Sequence, residues 1–371
     1  MRKTFLFVLI STFLFSSMEI TLKLAGSVFN PIQLNFIRFL IGGLVLLPLA
    51  LRSMKANDLH IDKKAFASFA LTGLLCVIVS MTLFQLAVVY GKASIVAVLF
   101  SSNPVFALLF SYLILHEKLS RSSLVSVIVS TIGLLVIINP FHLSNGVGMI
   151  LAVLSAITFG FYSIISRKVS KSRHFNGVTM TCFTFILGSL ELALLMGISH
   201  LPIVAQLFGH SSLAKDFVAI PYFTGISAST ILMILFIGIG VTGIGFATYF
   251  MAMERSDVST ASLVFFIKPA LAPILALILI SESIVANTWV GIVVILLGSA
   301  VSFLGQRADE QKSAMAQTGY LQTVETEGEA ADIIDAAHRK QILAQLAARR
   351  AALGQNLQNS KFQKQTHSTP Y

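Results

Sequence analysis

Residues 258–281 run VSTASLVFFIKPALAPILALILIS, with one charged side chain, Lys268, in the whole stretch. An α-helix rises about 1.5 Å per residue, so about 20 such residues cross a bilayer core of about 30 Å. In hydrocarbon the backbone finds no partner but itself, which leaves helices or closed barrels. Nine further apolar runs accompany this one, at 4–24, 31–51, 66–89, 94–115, 121–139, 146–167, 177–199, 229–251 and 286–305. None has the outward-inward alternation of a barrel strand. Only 11% of the residues are charged and 56% are hydrophobic, against about 25% charged in a soluble domain. The expected fold is an all-α integral membrane protein of ten transmembrane helices, followed by a polar C-terminal tail.

The chain also resembles itself. Residues 91–119 and 256–284, laid over each other at an offset of 165, share Ser94/Ser259, Phe100/Phe265, Pro104/Pro269, Ala107/Ala272 and Glu117/Glu282. The first run matches another copy 144 residues later at Ser11/Ser155, Phe15/Phe159 and Ile20/Ile164, with Lys23 opposite Arg167. Although Arg2 and Lys3 before an apolar run imitate a signal peptide, this internal copy argues that the run is a membrane helix. Two five-helix repeats are expected, 1–140 and 145–305, ahead of a tail at 306–371 that is helical or disordered. The offset grows between the two anchors because of extra residues in the connection 200–228, read as a loop on the membrane surface or as a gate.

Lys and Arg resist translocation and mark the cytoplasmic side. One set of connections holds thirteen: Arg2, Lys3, Arg52, Lys55, Lys63, Lys64, Lys118, Arg121, Arg167, Lys168, Lys171, Arg173 and Arg255. The other holds only Lys92 and Lys215. Both termini are therefore expected in the cytoplasm of a multi-pass protein of the plasma or inner membrane. Five helices per repeat then invert the second repeat relative to the first, a recurring build of secondary transporters. In the tail, 328–353 has a helix-forming make-up whose Ile333, Ile334, Ile342, Leu343 and Leu346 form a modest apolar stripe.

Charges inside the spans point to the chemistry, because an ionised group near a bilayer centre is costly and must face a cavity or a partner. Five qualify: Glu19, Lys23, Arg38, Glu191 and Lys268. Lys268 lies about 15 Å deep by helical rise, lacks a carboxylate within one turn, and is suited to hold a substrate carboxylate or phosphate. Its repeat counterpart is Asn103, so the polar residue before each proline reaches the same depth. Pro104 and Pro269 each deprive a carbonyl, at Phe100 and Phe265, of its helical donor; the freed oxygens either bind a ligand or mark a kink. Glu19 and Arg38 lie at similar depth and are expected to pair, structurally or as a gate. Gln85, Tyr90, Tyr162 and Tyr249 are candidate cavity liners. Cys76 and Cys182, both in apolar runs, are read as small hydrophobes.

The whole order of elements, with NFIRFL around Arg38 and the fourth span ending in LHEKLS, resembles the EamA-type members of the drug/metabolite transporter superfamily. The resemblance covers residues 4–305. It implies ion-coupled passage of small metabolites, often amino-acid-like or toxic organic compounds, usually as export. Lys268 departs from the general pattern. The expected partners are a small-molecule substrate, the lipid bilayer and a coupling proton or sodium ion, with a homodimer compatible; no enzyme activity and no cofactor are expected.

Other signals are weaker. GIGVTGIG at 238–245 contains a dinucleotide-type glycine pattern, but without a βαβ unit its glycines read as points of close helix approach. His116-Glu117 lacks the second histidine of a zinc helix, and no Walker loop is present. Of the net charge of +10, most follows the topology rule, so nucleic acid is not an expected partner. The competing classes are a membrane-embedded lipid-modifying enzyme and a membrane scaffold working through its tail.

Overall fold

A computed structural model describes residues 2–116, 121–138, 146–208, 214–255 and 258–298, with isolated positions up to 308. The expected tail helix, Glu117 and Lys118 lie outside the described residues. The described chain is helical, with no strand among its elements. We number the helices α1 (Arg2–Ala25), α2 (Pro31–Ala56), α3 (Lys63–Tyr90), α4 (Ala93–Phe100), α5 (Asn103–Leu115), α6 (Arg121–Ile138), α7 (Gly146–Arg173), α8 (Gly177–Ile198), α9 (Pro202–Phe208), α10 (Ile231–Ala252), α11 (Val258–Ile280) and α12 (Ala286–Gly298). Seven stretches are long and apolar enough to cross a membrane: α1, α2, α3, α4 with α5, α7, α8 and α10. Shorter apolar helices occupy Leu124–Ile137, Ile267–Ile280 and Ala286–Gly298. Leu194, Ile278 and Leu297, on three different helices, leave their side chains exposed, as lipid-facing positions would.

Helices before residue 139 pack chiefly on helices after 145. α1 lies against α10 and α11, α2 against α8 and α10, α3 against α7 and α8, α4 against α7 and α11, and α5 against α7. Close approach rests on residues without bulk: a Cβ on Gly73 would stand 2.6 Å from the backbone nitrogen of Gly188. In the GIGVTGIG segment, Gly238 packs on Ile41 and Gly243 on Val45 of α2, so these glycines serve helix contact as the sequence suggested.

Three local departures from regular helix shape the interior. α3 and α10 each contain π-helical turns, at Leu74–Ser80 and Phe236–Ile244. In both, a threonine five residues on returns its hydroxyl to the widened turn: Thr82 to the Val77 carbonyl at 3.3 Å and Thr242 to that of Ile237 at 2.8 Å. The third departure is a break. The run 94–115, expected as one helix, divides at Ser101-Ser102 into α4 and α5. The break follows from Pro104 at the start of α5, whereas Pro269 sits inside an uninterrupted α11.

The connection 200–228 is built onto the helix ends. Asn30 donates its amide to the Asp216 carbonyl at 3.0 Å, Gln33 donates to the Tyr222 and Thr224 carbonyls, and Tyr90 donates to Asp216 Oδ2 at 2.6 Å. Tyr222 in turn donates to the Ala193 carbonyl at 2.8 Å. Within the semi-apolar FVAIPYF stretch, Ile220 is buried on protein (2% exposed), while Phe217 and Phe223 stay exposed. At the opposite end, Arg173 reaches Asp62 at 2.7 Å. That contact and the Ala65 amide hold the exposed Asp62 carboxyl below its ordinary range.

Overpacking a tight contact costs about 1–3 kcal/mol. Gly73→Val is expected to lower the melting temperature of the detergent-solubilised protein by several degrees. Gly240→Ala, whose added carbon meets nothing closer than 3.5 Å, should leave it within about a degree, and equal effects of the two would contradict the packing described.

Candidate substrate cavity

The site begins with a backbone irregularity. In the π turn of α3, the Val77 carbonyl accepts the Asn35 amide at 3.0 Å. This orients Asn35 so that its Oδ1 faces the guanidinium of Arg38, one turn on along α2, which donates to it from Nε at 3.1 Å and Nη2 at 3.0 Å. The Arg38 plane lies over the Phe39 ring, 4.3 Å from its centroid, and Nη1 points at Met18 Sδ at 3.6 Å. Arg38 is 2% exposed, yet these hydrogen bonds and its ring contact are all to neutral groups, and it also feels the charge of Glu19.

The carboxylate expected beside Arg38 is engaged elsewhere. Glu19 Oε1 stands 2.7 Å from Lys268 Nζ, and the side chains are 1% and 4% exposed. By distance this is an ion pair, although its angles fall outside hydrogen-bond geometry. The expected Glu19–Arg38 pair is thus replaced by Glu19–Lys268, because α1 packs directly on α11. Spacing along one helix could not reveal this partner, since the two residues belong to distant parts of the chain. Lys268 Nζ also faces the Phe100 ring at 5.5 Å, and Glu19 Oε2 has no hydrogen-bond partner among the described residues.

Beside this pair opens a small cavity of about 60 Å³. Its walls are mainly aromatic: Phe15, Phe39, Phe100, Phe159, Phe185 and Phe246, with Met18 and Met81. The rings support one another edge to face, as Phe39 does Phe185 at 4.6 Å and Phe15 does Phe246 at 4.9 Å. The polar part of the lining is Arg38, Lys268, Tyr162, Thr242 and the Cys76 thiol. Lining residues come from α1 through α4 and from α7, α8, α10 and α11, so both halves of the chain enclose one space.

The remaining candidates sort by position. Tyr162 lines the cavity. Asn103, 9% exposed, turns its amide onto the Phe100 carbonyl at 2.9 Å, so the oxygen stripped of its donor by Pro104 is already satisfied and Asn103 is its cap. Pro104 is exposed and Pro269 buried. Tyr90 belongs to the latch on Asp216, away from the cavity. Tyr249 lies tilted against the Phe15 and Phe250 rings. Gln85 is fully buried, and neither amide atom has a partner among the described residues. It lies one turn below Val89, which faces α1 across Gly26, and so sits on the α1 side of α3.

Of the other intramembrane charges, Lys23 caps the end of α3, donating to the Val88, Val89 and Gly91 carbonyls at 3.0, 2.8 and 2.7 Å. Glu282 accepts the Ser94 amide at the start of α4, at 2.9 Å. Glu191 is half-buried with Oε2 unpartnered among the described residues. The sequence does not single out the phenylalanine walls, since the chain holds 29 Phe residues and only Phe15/Phe159 and Phe100/Phe265 repeat between the halves.

The model of the EamA-like transporter family matches residues 2–139 and again residues 146–304. An uncharacterized transporter of Clostridium kluyveri is 34% identical over 327 residues, covering 86% of this chain and 98% of that protein. Another from Archaeoglobus fulgidus is 25% identical over 271 residues, 72% of this chain and 87% of its own. A solved crystal structure shares the fold at a TM-score of 0.55 with 19% identity, over 82% of this chain and 96% of that one.

Removing one partner of a buried pair strands the other, at about 3–5 kcal/mol. Glu19→Gln alone should therefore lower thermal stability in detergent strongly, while Glu19→Gln combined with Lys268→Met should recover most of the loss. Additive losses in the double variant would show that the two do not act as a pair.

Proposed function

The chain belongs to the EamA-like transporter family, and from that premise we propose that it is a secondary carrier whose two halves form inverted five-helix repeats around the aromatic cavity. Contact symmetry supports the repeat. Exchanging α1 with α7, α2 with α8, α3 with α10 and α4–α5 with α11 turns the observed helix pairs into one another: α1–α10 becomes α7–α3, and α2–α10 becomes α8–α3. The π turns of α3 and α10 fall on equivalent helices, and Asn30 and Asn176 cap equivalent starts. Cavity walls pair in the same way, Phe15 with Phe159, Met18 with Tyr162, Phe39 with Phe185 and Met81 with Phe246.

The substrate class is a small organic anion or zwitterion with an apolar, preferably aromatic, body. One observation carries this: two buried cations, Arg38 and Lys268, line a ring-walled cavity that no carboxylate lines among the described residues, with Glu19 set against Lys268. Substrate carboxylate meets Arg38 and Lys268 while its body lies among the phenylalanines. Transport is alternating access, the halves rocking about the fixed site. The Lys- and Arg-poor face, with the 200–228 connection, is outward, both termini are cytoplasmic, and the direction that the family resemblance implies is export.

A thermal-shift panel on the purified protein tests the reading. Aromatic monoanions such as phenylpyruvate should raise the melting temperature by about 2 °C or more, and the matching neutral alcohols should not. Both Lys268→Ala and Arg38→Gln should abolish the shift relative to their own ligand-free melting. An undiminished shift in Lys268→Ala would remove that lysine from the site.

A further inference from the structure

The ionic groups around the cavity do not balance. Lys268 has Glu19 at 2.7 Å, and that pair is neutral as a unit. Arg38 makes its hydrogen bonds and ring contact with Asn35, Met18 and Phe39, and the one carboxylate whose charge it feels among the described residues is Glu19, already set against Lys268. The remaining titratable liners, Cys76 and Tyr162, are uncharged near neutral pH at ordinary thiol and phenol values. With nothing bound, the enclosed site therefore holds one positive charge in excess. Bound to one organic monoanion, it holds none.

This difference acts at one stage of the cycle. While the cavity is open to either side, water hydrates Arg38. Between the two openings the cavity is sealed and water is scarce, and an unbalanced charge in a low-dielectric space is heavily penalised. The loaded protein passes this stage as a neutral assembly, whereas the empty protein passes it carrying an unmatched guanidinium. We infer that the carrier is an exchanger: one anion leaves only as another enters, because the empty form changes orientation slowly. The inference rests on the anion-carrier reading above and adds the mode of transport to it.

The test uses the full wild-type chain in liposomes and labelled phenylpyruvate, an aromatic monoanion too acidic to leak appreciably in its neutral form. Vesicles contain either unlabelled phenylpyruvate or an isosmotic neutral sugar, and initial uptake is measured in each. Exchange predicts at least tenfold faster uptake into the anion-loaded vesicles. It also predicts a rate unmoved by an imposed potassium diffusion potential, since one monoanion replaces another. Equal rates with and without internal anion overturn the exchange mode and leave the carrier reading standing. So does uptake that follows the potential, or uptake into sugar-filled vesicles accompanied by protons. Uptake in neither vesicle, against empty-liposome controls, overturns the anion-carrier reading itself.

Discussion

An ionised side chain surrounded by hydrocarbon has to find compensation inside the protein, and the interior of this chain is arranged around that requirement. The contact between Glu19 and Lys268 joins α1 to α11, and so joins the beginning of the chain to its last third. Arg38 is compensated differently, by oriented dipoles. A π turn exposes the Val77 carbonyl, the carbonyl fixes Asn35, and Asn35 receives the guanidinium. A small backbone irregularity thereby determines where a charge points. These dipoles hold the guanidinium in place and offset part of the cost of removing its water, but they leave its charge unmatched.

The frame and the charges follow different rules. Helix pairs, π turns, asparagine caps and ring walls correspond across the proposed repeat, yet none of the three central charges has a charged counterpart. Glu19 corresponds to Ser163, Arg38 to Thr184 and Lys268 to Asn103. Thr184 bonds Thr72 at 2.7 Å, and Asn103 caps Phe100. These counterparts therefore serve helix geometry where their partners serve electrostatics. A duplicated scaffold supplies the shape of the cavity, and single-sided substitutions supply its polarity.

Much of this was legible in the residues alone. Apolar runs of membrane-crossing length announce helices whatever their packing, and the glycines at 238–245 announced close approach without naming Ile41 or Val45 as the neighbours. Glu19, Arg38 and Lys268 were recognisable as central because charge in an apolar run admits few explanations. What could not be read was who pairs with whom. Glu19 lies at similar depth to both cations, and only the packing of α1 on α11 decides between them. The break at Ser101-Ser102 was equally hidden, since Pro104 and Pro269 occupy equivalent places and only the first interrupts its helix. Tyr90 reads as a cavity liner in the sequence because an aromatic hydroxyl at a helix end looks the same whether it faces a substrate or, as here, Asp216.

In the proposed carrier, the segment between α8 and α10 spoils an otherwise even design. Two equivalent halves facing opposite ways would give a rocking protein openings of equal ease, top and bottom. Here one mouth is buttoned by Asn30, Gln33 and Tyr90 onto Asp216, Tyr222 and Thr224, whereas the Asp62–Arg173 contact at the far rim is solvent-exposed. Unbuttoning that one mouth means giving up this set of hydrogen bonds, while the far rim carries a different set, including the bond from Asn176 to the Ser53 hydroxyl at 2.8 Å, so the two facings are not of equal ease before any solute arrives.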